Sequence, residues 1–129
     1  MGRKFFSGLF LVVSLVVGLG AFGHGHQWFG HVRGLLNGVE PKAIDLLELI
    51  WLWVSGSMLI FGALLIWCWR KLRRGDASLT MIPWLVGGFY ILAGSCGALM
   101  AGPFFWLFPV LGLLLWLCTW MLRPRPAST

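Results

Sequence analysis

The chain has 129 residues, of which 59% are hydrophobic and 11% charged, with a formal net charge of +6. Soluble domains carry about 25% charged residues, and a globule this small has too little interior to hide so much apolar surface. Composition therefore excludes disorder, a collagen-like fibre, a disulfide-dense secreted scaffold and a folded nucleic-acid-binding domain, and it points to lipid as the solvent.

Arg3 and Lys4 precede the first apolar run, residues 5–23, which contains no ionisable side chain. A basic start, an apolar core and small residues such as Ala21 and Gly23 are also the parts of a cleavable signal peptide, and a cut after Gly23 would leave His24 as the amino terminus. The run is long for the apolar region of a signal peptide, so a retained span is expected. Residues 24–42 hold all three histidines and read as a polar loop. The second run, 43–69, follows Pro41, has Asp45 and Glu48 in its opening turns, and stops at the RKLRRGD sequence of a basic loop, 70–78. The third run, 79–100, is dense in small residues; the fourth, 104–122, follows Ala-Gly-Pro and ends at a basic tail, 123–129.

Runs of about 19 to 27 residues cover a hydrocarbon core about 30 Å thick at about 1.5 Å per residue, whereas membrane strands would be half as long and would alternate in polarity. The sequence therefore predicts an all-α integral membrane protein, a single-domain bundle of four transmembrane helices. Arg3, Lys4, Arg70, Lys71, Arg73, Arg74, Arg123 and Arg125 fall on one side of these spans, and only Arg33 and Lys42 on the other. An excess of Lys and Arg marks the cytoplasmic side, so both termini are expected there, with the histidine segment exoplasmic, in a bacterial inner (plasma) membrane. On this reading the positive charge is a topological label and not the footprint of nucleic acid. Trp67, Trp69, Trp84, Trp116 and Trp120 fall near the inner face and Trp28, Trp51, Trp53 and Trp106 near the outer one, as an interfacial aromatic belt would.

Few residues are suited to chemistry. His24, His26 and His31 are candidate ligands for zinc, copper or haem iron. Were the first helix to continue outward, His24 and His31 would share a face and His26 would point elsewhere. Their spacing matches no strong metal motif, and an ordinary wet loop, in which histidines replace other polar residues, is the favoured account of them. With no histidine inside a span, haem would need a ligand from a second chain, or Met58 or Met100 opposite a histidine. Asp45 and Glu48 are a candidate proton or ion site in a small oligomeric transporter, although acids after Pro41 also suit a helix amino terminus. A small drug antiporter would carry a membrane-embedded carboxylate, and the first run has none.

In the third run Ala93, Gly97 and Ala101 form one stripe of small residues, and Gly94, Ala98 and Gly102 form its neighbour; Gly87 and Gly88 extend them. Such stripes let helix backbones approach closely, within the bundle or against a partner. Pro109 is expected to kink the fourth helix. Cys68, Cys96 and Cys118 form no CxxC motif, and the two nearest the inner face are expected to stay reduced. No nucleophile–base pair, glycine-rich phosphate loop or zinc-protease motif is present, so the expectation is a non-enzyme without a cofactor. It would be an accessory or structural membrane subunit that docks on itself or on a larger membrane complex, with the lipid bilayer as its other partner. A metal- or haem-binding subunit in electron transfer or copper handling is the first alternative, and the transporter the second.

Overall fold

A computed structural model describes residues 2–124; Arg125, counted above with the basic residues, lies outside them. Apart from short connections, the described residues are helical, with no strand among them. Four helices dominate: α1, Arg3–Gln27; α2, Pro41–Arg73; α3, Met81–Ala101; and α4, Leu107–Leu122. A π-helical turn, Trp28–Val32, and a 3-10 turn, Arg33–Leu36, prolong α1, and a 3-10 turn, Pro103–Trp106, leads into α4. Each of the four resulting segments is long and apolar enough to cross a membrane.

The boundaries have local causes. Pro41 opens α2, where a missing N–H leaves no bond unmade, and the Glu40 carbonyl accepts from the amides of Ala43 (3.0 Å) and Ile44 (3.2 Å). At the other end Gly75 takes φ +82°, the Gly75 amide donates to the Leu72 carbonyl (3.1 Å), and the Asp76 amide donates to the Lys71 carbonyl (3.1 Å). This Schellman closure is what turns the chain at the end of the basic run. Gly102, at φ +122°, separates α3 from the turn at Pro103. Pro109 does not kink the middle of a helix. It sits in the first turn of α4, where its missing donor would otherwise have continued the i→i−4 ladder back to Phe105, and the chain is 3-10 just before it. The loop expected over 24–42 is also much shorter than its composition implied. Helical structure persists to Leu36, because backbone bonds inside a helix are satisfied locally whatever the polarity of the side chains.

The described residues form two compact units, one of residues 15–63 and one of residues 2–14 with 64–124. In the latter, α3 and α4 pack along their glycines. A Cβ on Gly87 would meet the Trp116 ring at 2.6 Å and the Gly112 carbonyl at 2.9 Å; one on Gly94 would strike Phe108 and Pro109, and one on Gly97 would strike Phe105. Because Gly87 offers no side chain, the Trp116 ring lies against α3 and its Nε1 donates to the Trp84 carbonyl (2.8 Å). The small-residue face predicted for α3 is thus occupied in large part by α4 of the same chain, while Ala93 and Ala101 remain exposed. Also in this unit, Trp69 Nε1 donates to the Ser7 carbonyl (2.8 Å) and hydroxyl (3.0 Å), joining the start of α1 to the end of α2. The buried hydroxyls of Ser14 and Thr119 donate to the carbonyls four residues earlier, at 2.7 and 2.6 Å, which is how a hydroxyl is satisfied without water.

In the unit of residues 15–63, α1 meets α2 where side chains are small. A Cβ on Gly18 would lie 3.4 Å from the Gly62 Cα, and one on Gly20 would lie 2.8 Å from the Met58 terminal methyl. Val17, Ala21 and Trp28 fall on the buried stripe of α1, at helical spacing. The remaining faces are apolar and bare: Leu46, Leu49, Ile50, Trp53 and Ile60 of α2 are each more than half exposed.

Candidate functional site

In the unit of residues 15–63, three side chains with polar groups, His24, Trp51 and Ser55, meet where the end of α1 faces α2. His24 lies on the inward side of α1, and its ring stacks on Trp51 with centroids 4.3 Å apart and planes 14° from parallel. Trp51 Nε1 donates to the His24 carbonyl (2.6 Å), and His24 Nδ1 lies 2.9 Å from Ser55 Oγ. The Ser55 hydroxyl in turn donates to the Trp51 carbonyl at 3.0 Å.

These contacts close a ring of three residues. With the single Ser55 hydroxyl proton directed at the Trp51 carbonyl, the Ser55 oxygen accepts from His24 Nδ1; with that proton directed at the ring, Nδ1 accepts instead. His24 Nε2 makes no hydrogen bond among the described residues. Trp28, four residues along the same face, is fully buried and packs against Trp51 at 5.6 Å; its indole N–H has no partner among the described residues.

The other two histidines do not join this group. His26 is exposed and turns toward Gly30, and His31 is exposed beyond the π-turn. The π-turn explains why His24 and His31 do not share an environment: its hydrogen bond runs from the Arg33 amide to the Trp28 carbonyl, five residues back, and the added residue rotates all that follows away from regular α spacing. Among the described residues no three His, Cys, Asp or Glu side chains come together as metal ligands. The two acids part company as well. Asp45 is exposed, whereas Glu48 pairs with Arg33 at 3.5 Å, across the turn between α1 and α2. Cys68 and Cys118 are buried and Cys96 is exposed, all as free thiols.

The tryptophans are not one belt. Trp53, Trp67, Trp106 and Trp120 are at least half exposed, as interfacial side chains would be, but Trp28 is buried, and Trp51, Trp69 and Trp116 direct their N–H groups to backbone carbonyls. No family model, curated protein or solved structure matches this chain. Its site must therefore be read from its own geometry. Sequence reasoning did not count Ser55, Trp51 or Arg33 among the site residues. The available signal was slight: a serine in an apolar run, one turn after a tryptophan, and one of two basic residues on their side of the spans.

Proposed function

We propose that this protein is a membrane-embedded accessory subunit without catalytic activity, with both termini and residues 70–78 on the cytoplasmic side, and that it docks through α2 on a second membrane chain, its own copy or a larger complex. The observation that carries this reading is the exposure of α2. It is the least covered of the four candidate spans, and Trp53, at 75% exposed, is followed one turn later by Gly56, whose Cβ position is open. Bare apolar surface suits lipid, and a small residue between large ones suits a helix crossing. The glycines of α3 are a weaker candidate for docking, because α4 already fills them.

The test is extraction in mild detergent, with measurement of particle mass and identification of co-purifying chains. A species larger than the monomer that reverts to monomer on Gly56→Leu is expected; a lone monomer under the mildest conditions would sink the reading. Fusion reporters at Ser78 and Asn37 test the orientation, which fails if Ser78 reports an exoplasmic location.

A second reading keeps one specific observation in its favour. His24 is oriented by Ser55 and Trp51 with Nε2 free, and this is how a metal- or haem-ligating histidine is held by its supporting residues. Only one imidazole is so arranged, so copper or haem iron would draw its remaining ligands from another chain. A Soret band, or bound metal lost on His24→Ala, would favour it; a colourless, metal-free preparation of the intact assembly would not.

A further inference from the structure

The densest charge in the chain is of one sign and lies in the unit of residues 2–14 and 64–124. Arg70, Lys71 and Arg73 close α2, with Arg74 next in sequence, and Arg3 and Lys4 open α1; a hydrogen bond from Arg3 Nη2 to the Leu72 carbonyl (3.1 Å) brings the two ends together. The only acid nearby in sequence, Asp76, is engaged by Lys71 at 2.9 Å, while Glu40, Asp45 and Glu48 lie some thirty residues earlier. The carboxyl-terminal dipole of α2 favours cations, but that effect fades within one turn and does not neutralise so many. Among the described residues only Asp76 pairs with this cluster, which leaves it open to an anion from outside.

Two of these side chains are already positioned to receive it. Arg3 is held at the Leu72 carbonyl through one of its five donors, leaving the rest of the fork free. Arg73 lies over the Trp69 ring, 4.8 Å from its centroid, and that ring is itself fixed by its N–H bonds to Ser7. Arg70 and Arg74 are exposed beside them in sequence. Guanidinium forks match phosphate oxygens in pairs, and side chains that are ordered beforehand lose less freedom on binding. Phe5 and Trp67, next to this cluster in sequence, are about half exposed, so apolar surface adjoins the charge. That combination fits an amphiphile better than a free anion.

We propose that this end of the protein binds the phosphate headgroup of an anionic phospholipid, with Arg3, Arg70, Arg73 and Arg74 as its contacts. The inference rests on the membrane reading above. The full-length chain is reconstituted into vesicles of phosphatidylcholine, with or without phosphatidylglycerol. Flotation and resistance to alkaline extraction report insertion, and native mass spectrometry of the extracted protein reports the lipid retained. A basic residue at an anionic surface contributes about 1 kcal/mol, or about fivefold in affinity, so the R70Q/R74Q double variant should lose phosphatidylglycerol by about thirtyfold, while R33Q should not. Failure to float in either vesicle overturns the membrane reading itself. Insertion with equal retention of the two lipids, or retention unchanged in R70Q/R74Q, overturns the lipid site alone. Displacement of the lipid by an equal concentration of inorganic phosphate would also overturn it, by assigning the cluster to a free anion.

Discussion

Replacing Gly112 by alanine should separate α3 from α4. The new Cβ would overlap the Gly87 carbonyl oxygen and lie 2.8 Å from Ile91 Cγ1 and 3.2 Å from the Ile91 amide nitrogen. Two of these atoms are backbone and cannot rotate aside, so relief requires the helices to part by up to about 1 Å, and a gap of about 0.5–1 Å forfeits a quarter to a half of each dispersion well. Leu115, fully buried one turn on, makes about 50 such contacts of about 0.15 kcal/mol each; a quarter of the well lost over half of them is about 1 kcal/mol. The hydrogen bond from Trp116 to the Trp84 carbonyl crosses the same gap and is worth about 1 kcal/mol net. Alanine's better helix propensity returns up to about 1 kcal/mol, so the net loss should be about 1–2 kcal/mol, within the usual range for overpacking. Gly88→Ala is the control, because its Cβ would meet Trp116 Cζ2 at an ordinary 3.5 Å. Denaturant titration in micelles, followed by circular dichroism, should show Gly112→Ala destabilised and Gly88→Ala at least as stable as the parent. If both variants are as stable as the parent, the close backbone crossing is not holding the hairpin.

In Trp28→Phe the removal of a buried donor without a partner among the described residues and the cavity left by the smaller ring act in opposite directions, so stability should change by less than about 1 kcal/mol, whereas Trp51→Phe also loses the bond to the His24 carbonyl and should cost at least about 1 kcal/mol in the same titration. Hydrogen bonds from the Ser78 hydroxyl, then from Lys71 and the Ser78 amide, hold the Asp76 carboxyl well below the usual carboxylate range. A depressed pKa contributes stability that is present above the unfolded value, about 3.9, and lost as pH falls below it. Amide exchange at Ser78, corrected for intrinsic rate, should therefore stay flat from pH 8 to pH 5 and rise only under stronger acid; a rise centred near pH 6 would contradict the bonding at Asp76. Glu48→Gln should change stability by less than about 1 kcal/mol, because the pair with Arg33 is long at 3.5 Å and its arginine side chain is 54% exposed. A larger loss would mean that Glu48 has a second role.

The helices were legible because each apolar run is long and bounded by residues with a mechanical reason to stop. Pro41, Gly75 and Gly102 stand at ends that the chain does take. The glycines of α3 were legible as a packing face, but which helix would fill them was not, because Phe105, Phe108 and Trp116 look like any other apolar side chains until α4 is laid against them. The histidine segment was misread as loop because glycine and histidine favour loops only on average. What decides there is tertiary: Trp51 and Ser55 give His24 a stacked, hydrogen-bonded seat that keeps the end of α1 ordered. A π-turn depends on a register shift in backbone bonding, and nothing in the residues 28–32 announces it. The pairing of Arg33 with Glu48 was invisible for the same reason, since the two are neighbours only once the chain has reversed at Gly38, at φ +86°.

The unequal lengths of the apolar runs have a mechanical consequence. The uncharged core of α2 after Glu48, residues 49–69, has a reach of about 32 Å, against about 28 Å for residues 104–122. A bilayer whose hydrocarbon matched the shorter segment would leave the longer one overhanging by roughly 3 Å, about half a helical turn. Mismatch costs fractions of a kcal/mol per ångström and is relieved by leaning the helix or by locally stretching the lipid. Placed in a bilayer, a chain with two rulers of different length would answer to the thickness of the lipid around it.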